Sequence, residues 1–515
     1  MTKFNATPTT QPRTTNRAGG PAHTQEAKLA LATHLLTSFV QDQFYRSEAE
    51  GIQELEARMA AVDDKAFVAK AALYARNRYH MRSVTHLAAA YLADTVKGAR
   101  WTRPFFRRVV ERVDDITEIL ARYIAVYGRR PLPNALKDGL AAAFREFDAY
   151  QLAKYRAEGK ALKLVDAVNL LHPKPNPAHT ANVSAARFAA LPEGVRAKAR
   201  VLREDVGEGT VTLTAQEALM LGLLVSADTW EARLSQAGQA EDAEGAGAAK
   251  AEAWRDLLAT GKLGYMALLR NLRNILRQAD AETVSRAAAQ LADPERVAKS
   301  KLLPFRFPTA YDALRAECVD HPQYREVVLA LAQAMDHAVA NCPVLPGKTL
   351  IALDVSGSMV GRPVKIEALF AAVLYKRNDA DLLLFDTRAT LPQLDVLHPV
   401  LSLAGEIERL VTGGGTDFDL VFQCAPRAYD RIVILSDMQA WVHYHTPAEA
   451  LRAYKARTGA DPHVFSWDLT GYGTAQFPAP RIYTLAGWSE RALEVMGLLE
   501  TDRQALVHAI EAITL

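Results

Sequence analysis

"LIALDVSGSMVG", residues 350–361, is the stretch on which the reading of this chain turns. An apolar run closes on Asp354, and Ser356 and Ser358 follow at alternate positions of a glycine-loosened loop. A short apolar run ending in a carboxylate and a turn reads as a buried strand that delivers polar groups at its carboxyl end. Four further runs share the pattern: "DLLLFDT" (381–387), "RIVILSDM" (431–438), "HVFSWDL" (463–469) and "RIYTLAG" (481–487). Helical segments such as "KIEALFAAVLYKR" (365–377) and "TPAEALRAYKART" (446–458) lie between them. That alternation predicts a parallel, doubly wound α/β sheet covered by helices on both faces.

The loop itself admits several chemistries. A nucleophile elbow needs G-x-S-x-G, whereas the line here is D-V-S-G-S-M with no partnered histidine in evidence. A phosphate-binding P-loop needs G-x-x-x-x-G-K-[ST], and neither this loop nor "VTGGGTDF" (411–418) supplies the lysine. Metal binding accounts for more of the residues. Asp354, Ser356 and Ser358 offer hard oxygens on one tight loop, Thr416 follows a triple glycine, and Asp437 ends another apolar run. Carboxylate and hydroxyl oxygens of this kind suit Mg²⁺, with a coordination position left for water or an acidic ligand.

Ahead of residue 342 the pattern is different. From about residue 24 to 340 apolar residues recur at helical spacing, as in "EAKLALATHLLTSFVQDQFY" and "VVLALAQAMDHAVANC", and strand-like alternation is scarce. Short helices without a sheet must bury their stripes on one another, which predicts a solenoid of HEAT-like helix pairs. Residues 235–253, rich in Ala, Gly and Glu, read as an exposed insertion or frayed helix, and "CPVLPGK" (342–348) as the domain boundary.

Charge is divided unevenly. Residues 346–515 carry 15 Lys+Arg against 20 Asp+Glu, and residues 1–345 carry 46 against 39. Residues 70–112 hold ten Lys/Arg with only Asp94 and Glu111 between them, which favours a polyanion or simply a solvated helical surface. In "KLGYMALLRNLRNILRQ" (262–278) Leu269, Leu272 and Leu276 form one stripe, while Arg270, Arg273 and Arg277 form another that no acidic residue of the segment neutralises. Those arginines suit either an anion or carbonyl and carboxylate partners on neighbouring helices. Tyr79, Phe105 and Phe106 could stack bases, although aromatics in helices more often belong to a core.

Length sets the outer bounds. At 515 residues, 49% hydrophobic and 23% charged, the chain suits two or three globular domains. It has no apolar run long enough for a membrane helix. Residues 1–23 are polar and rich in Thr, Pro and Gly, and read as a disordered arm without a secretory core. The odd count of three scattered cysteines, Cys318, Cys342 and Cys424, fits a reducing cytoplasm better than a disulfide scaffold.

Two resemblances sharpen these expectations. Asp354, Ser356, Ser358, Thr416 and Asp437 resemble, in type and order, the metal-ion-dependent adhesion site of von Willebrand factor A domains, in which the ion binds a partner's carboxylate and performs no chemistry. "MALLRNLRN", "KSKLLPFRF" and "VDAVNLLHPKP" (165–175), followed by "DVSGSM" and "GGGTDF", resemble the Ro autoantigen, or TROVE, family, here of bacterial type. The resemblance implies a TROVE helical-repeat domain over 24–345, closed into a ring, and an A domain over 346–515. It also implies noncatalytic binding of small Y RNA on the outer surface and of 3′ ends of misfolded RNA in a basic central hole. Work with a 3′ exonuclease such as polynucleotide phosphorylase is implied too. Carried over to "AKYRAEGKALKLVDAVNLLHPKP" (153–175), it marks Lys154, Arg156, Lys160, Lys163 and His172 as candidate RNA contacts, with His172 equally readable as a turn residue ahead of Pro173. Arg270, Arg273 and Arg277 are candidates for the hole. The alternatives are a metal-dependent protein-adhesion scaffold without RNA and a hydrolase using Asp354, for which no general base is identifiable.

Overall fold

The computed structural model of the chain describes residues 26–37, 48–128, 131–156, 159–205, 207–225, 229–239, 243–437, 447–468, 481–486, 492–501 and 504–515, together with a two-residue antiparallel pair, Thr14–Thr15 with Pro21–Ala22. Apart from that pair, the expected N-terminal arm lies outside the described residues. The chain forms two compact units: one takes Ala49–Arg233 and His508–Leu515, the other Met1–Glu48 and Leu234–Val507.

The first unit is built of short helices: α1 (Lys65–Tyr79), α2 (Ser83–Thr95), α3 (Thr102–Arg108), α4 (Val113–Tyr127), α5 (Asn134–Phe144), α6 (Ala149–Lys154) and α7 (Leu164–Leu171). They pack in neighbouring pairs, α1 on α2, α2 on α4, α3 on α5 and α5 on α7, as a stack of amphipathic helices requires. The α3–α5 crossing is a close one. A Cβ placed on Gly139 would stand 2.5 Å from Phe106 Cβ and 2.8 Å from the Arg103 carbonyl oxygen, so only a hydrogen fits between these helices.

The unit also contains a small sheet. β1 (Thr180–Ser184) and β2 (Arg203–Asp205) both pair antiparallel with the central β3 (Thr210–Thr214). The helical reading of 24–340 overlooked it. The alternation was present in "TANVS" and "VTLT", where Ala181, Val183, Val211 and Leu213 turn inward, but five-residue strands offer too few repeats to stand out among helices.

The second unit carries a six-stranded sheet: β4 (Thr349–Asp354), β5 (Ala380–Phe385), β6 (Ala389–Thr390), β7 (Arg431–Ser436), β8 (His463–Asp468) and β9 (Ile482–Ala486), in the order β9-β8-β7-β4-β5-β6. All pairings are parallel except that of the two-residue edge strand β6. The five apolar runs are these five parallel strands. Every residue of β4 and β7 is buried, as expected where helices cover both faces. Leu350, Ala352, Ile432 and Ile434 share one core with Phe418, Phe422 and Tyr454. In another, Phe370 of the helix Arg362–Arg377 meets Trp467 at 4.4 Å and stacks at 4.3 Å on Phe305 of the "LLPFRF" turn.

Within this unit the helices that precede the sheet continue into it. Tyr324–Ala338 packs on Val400–Arg409, and Asp336 accepts a hydrogen bond from the Val400 amide at 2.8 Å. The helix Ala27–Thr37 packs on β9. Residues 230–237 and 243–259, within or flanking the Ala/Gly/Glu-rich stretch, are helical.

Candidate functional site

β4 and β7 are adjacent and parallel, so Asp354 and Asp437 emerge at the same edge of the sheet. Asp354 is fully buried; one carboxylate oxygen accepts from the Ser356 amide at 2.9 Å and the other from the Ser436 hydroxyl at 2.6 Å. Ser356 Oγ lies 3.4 Å from Ser358 Oγ. The glycine segment is laid along this loop. Ser356 and Gly414 form a parallel bridge, the Gly357 amide donates to the Gly414 carbonyl at 2.9 Å and the Gly413 amide to the Val355 carbonyl at 2.9 Å. Thr416, two residues beyond the bridge, is buried, as is Asp437.

Asp386, which was not singled out in the sequence, fixes that segment from behind. Its carboxylate accepts from the Thr412 hydroxyl and, at 2.7 Å, from the Arg388 amide, while its carbonyl accepts from the Asp417 amide at 2.9 Å. A Cβ on Gly414 would stand 2.6 Å from Asp386 Oδ2. The glycine is therefore required by close approach of a carboxylate. The only available signal was an Asp closing a strand, shared with several other runs.

The electrostatics are those of a buried acidic pocket. Burial, followed by the charge of Asp437, pushes the Asp354 carboxyl up to about 7. Among the described residues no three His, Cys, Asp or Glu side chains converge as a metal cluster; the candidate ligands here are two carboxylates with hydroxyls. The donors are all hard oxygens, all but the half-buried Ser358 are buried, and the repulsion between the two aspartates is what a dication would relieve. The residues therefore fit Mg²⁺.

Half of the ten cations of residues 70–112 meet carboxylates from outside that window. Asp115, on the first turn of α4, accepts from Arg76 at 2.6 Å, from Arg82 at 2.6 Å and, at 3.0 Å, pairs with His86 Nε2. Burial alone would raise the Asp115 carboxyl, but its hydrogen bonds with His86 and Arg76 and their charges together hold it far below the usual range. Arg112 pairs with Asp114, Arg103 with Asp138 and Arg107 with Glu146. Lys70, Lys97 and Arg108 donate to the carbonyls of Glu511, Ala93 and Thr514. Arg78 and Arg100 are exposed without a polar partner among the described residues. Tyr79, Phe105 and Phe106 are core residues.

The candidate RNA contacts separate into two kinds. Lys154, Lys160 and Lys163 are exposed. Lys154 lies 5.7 Å from the Tyr150 ring centre and 5.4 Å from that of Tyr155, over which Arg112 also sits at 4.3 Å. This cation–aromatic group, with Tyr150 half exposed, escaped the sequence reading because Arg112 is remote in the chain. Arg156 instead donates to the Leu224 carbonyl. His172 ends α7 in the left-handed conformation, φ 49°, and its amide closes the helix onto Val168; its side chain is exposed.

In the other unit Arg273 and Arg277, on the helix Tyr265–Gln278, share Glu317 at 2.6 and 2.8 Å. The stripe that lacks an acid in sequence receives one from the helix Pro308–Glu317. Arg270 is exposed without a polar partner among the described residues.

Comparison with known proteins bears on the helical part. The TROVE domain model matches residues 23–201 and 223–333. The rat telomerase protein component 1 is 25% identical over 348 residues, 56% of this chain and 13% of that protein. The RNA-binding protein RO60 of Deinococcus radiodurans is 26% identical over 249 residues, 43% of this chain and 45% of the relative. The chain thus spans less than half the length of either curated relative. The crystal structure of the D. radiodurans RO (RSR) protein superposes with a TM-score of 0.62 at 19% identity, covering 92% of this chain and 99% of that one, and so shares the fold. With more than half of its residues matched by the domain model, this chain belongs to the TROVE-domain family.

Proposed function

We propose that the chain is an RNA-binding scaffold of the Ro type, engaging structured small RNA of the Y class through the exposed cations of its first unit. TROVE proteins of this kind are noncatalytic. The observation that carries the reading is the placement of Lys154, Lys160 and Lys163. They remain exposed inside the TROVE match, whereas most cations of the 70–112 run are bound to carboxylates or carbonyls. Exposed Lys and Arg release counterions from the phosphate backbone and give affinity that falls steeply with salt. Tyr150 and Tyr155 beside Lys154 add faces on which unpaired bases can stack.

The reading extends to a ring of helix pairs, residues 24–345, closed by a von Willebrand factor A domain, residues 346–515. Arg270, Arg273 and Arg277 would face single-stranded 3′ ends of misfolded RNA in its hole, and a 3′ exonuclease such as polynucleotide phosphorylase would act on the RNA so presented, in the cytoplasm. No helix of the described residues is long and apolar enough to cross a membrane. The test is RNA binding by the full chain and by K154E/K160E/K163E. The triple variant should bind a structured small RNA at least tenfold more weakly at 100 mM salt, with a shallower dependence on log salt. Equal affinities would refute the assignment.

A second reading is favoured by the acidic pocket. Asp354, Ser356, Ser358, Thr416 and Asp437 would hold Mg²⁺, the aspartates balancing its charge and the hydroxyls completing the oxygen set. Bound there, the ion would offer an electrophilic position to an acidic protein ligand. On this reading the protein would be a metal-dependent adhesion scaffold without RNA, its partner lost on Asp354→Ala.

A further inference from the structure

The small sheet of the first unit carries a recess that the proposed RNA surface does not use. Its volume is about 380 Å³, and it lies between the short helix Glu193–Arg196, with the turn after it, and the helix Ala215–Met220. Pro175, Val195 and Met220 give it apolar walls, and Lys198, Gln216 and Glu217 supply polar groups. Val195 is exposed and Met220 only half-buried, apolar surface that the fold itself leaves open. Hydrogen bonds pin the walls: the Arg200 amide donates to Glu217, the Leu202 amide to the Thr212 carbonyl at 2.9 Å, and the Gln216 side-chain amide to the Pro173 carbonyl at 2.9 Å.

The charge around the recess is positive. Lys174, next to Pro175, and Arg196, Lys198 and Arg200 are exposed, and none of their side chains has a polar partner among the described residues. Between residues 193 and 200 the only acid is Glu193. The larger cleft beside α3 differs in this respect, since its Arg103 and Arg107 are paired with Asp138 and Glu146 of the same lining. Within the recess the polar groups are of the opposite kind. Glu217 Oε2 and Gln216 Oε1 are acceptors that no donor of the described residues meets.

We infer that the recess is a second RNA-binding site, which takes one unpaired guanosine. Its base would lie against Val195 and Met220, and the flanking phosphates would meet the four cations. The Watson–Crick edge of guanine carries two neighbouring donors, N1–H and N2–H, for the acceptors of Glu217 and Gln216. Uracil has one, between two carbonyl oxygens that those acceptors repel. The site rests on the RNA-binding reading above and adds base selection, which phosphate contacts do not give. The helix Ala215–Met220 lies between the two segments matched by the TROVE domain model, so one wall stands outside the matched residues.

The experiment measures binding of the full chain, by fluorescence anisotropy, to a single-stranded uridine heptamer, to the same heptamer with a central guanosine, and to one structured small RNA. The wild type, Ala199→Trp, Glu217→Ala and R196E/K198E/R200E are compared. The wild type should bind the guanosine heptamer at least tenfold more tightly than the uridine one. Ala199 lines the recess, so Ala199→Trp fills it while keeping every cation. That variant and Glu217→Ala, which removes an acceptor without adding bulk, should each lose most of the preference while melting close to the wild type. R196E/K198E/R200E should weaken both heptamers. A wild type without the preference, a preference that survives in both single variants, or its loss only in a variant that melts well below the wild type would overturn the site. If the structured RNA still binds and still depends on Lys154, Lys160 and Lys163, the recess alone falls. A wild type that binds none of the three RNAs would overturn the RNA-binding reading as well.

Discussion

At the scale of the residue, acids decide what the chain's cations can do. Asp115 draws Arg76, Arg82 and His86 into one cluster, and removing its charge leaves Arg76 only Glu111 and Arg82 only Asp114 as carboxylate partners among the described residues. Asp115→Asn should cost about 3–5 kcal/mol, measured by urea unfolding at pH 7. Because the folded-state carboxyl is held below its unfolded value, its contribution is complete above the ordinary Asp range near pH 4 and is lost as the pH falls further. The loss of stability on acidification should therefore be shallower in the variant. Glu317 has the opposite value for function. Its bridges to Arg273 and Arg277 are half exposed, worth roughly 0–1 kcal/mol to the fold. Glu317→Gln should leave the melting temperature nearly unchanged while strengthening RNA binding and steepening its salt dependence. None of these partners could be read locally, since Asp115 lies 39 residues from Arg76 and Glu317 lies 44 from Arg273. The candidate polar set could be assembled from sequence because Asp354, Ser356 and Ser358 share one loop and Thr416 and Asp437 follow a triple glycine and an apolar run; Asp386, which holds the glycine segment from behind, carried no such signal.

At the scale of the element, legibility followed burial pattern and length. The five parallel strands were plain because strands buried on both faces are short unbroken apolar runs, as β4 and β7 are. β6, two residues long, and the β1–β3–β2 sheet were missed because a few alternating residues resemble one turn of helix. Close approaches between elements are equally silent in sequence. Gly139 sits against Phe106 and the Arg103 carbonyl oxygen at distances no methyl group can share. Gly139→Ala should therefore destabilise the protein by about 1–3 kcal/mol despite the higher helix propensity of alanine, as thermal or urea unfolding will show. At the sheet edge, the short Ser356–Gly414 bridge makes the acidic pocket a property of two loops held together. Millimolar Mg²⁺ should raise the melting temperature of the wild type by several degrees, and Asp354→Asn should abolish that rise while melting higher than the wild type in EDTA.

At the scale of the whole molecule, membership of the TROVE family rests on the helical part, and the phosphate-binding role proposed for it rests on which cations remain unspent. Net charge is a poor guide to that. The chain is only +2 overall, and its densest basic run is largely consumed in holding helices together. Cations open to a polyanion include Arg78 and Arg100 of that run and, outside it, Lys154, Lys160 and Lys163, with aromatic rings beside Lys154. The most direct test is the salt dependence of binding to one structured small RNA by the full-length wild type and K154E/K160E/K163E. The account predicts a steep fall in wild-type affinity with log salt, and in the triple variant at least a tenfold loss at 100 mM with a slope smaller by about 2–3. Binding by the wild type that salt does not weaken, or a variant that follows the same line, would contradict it.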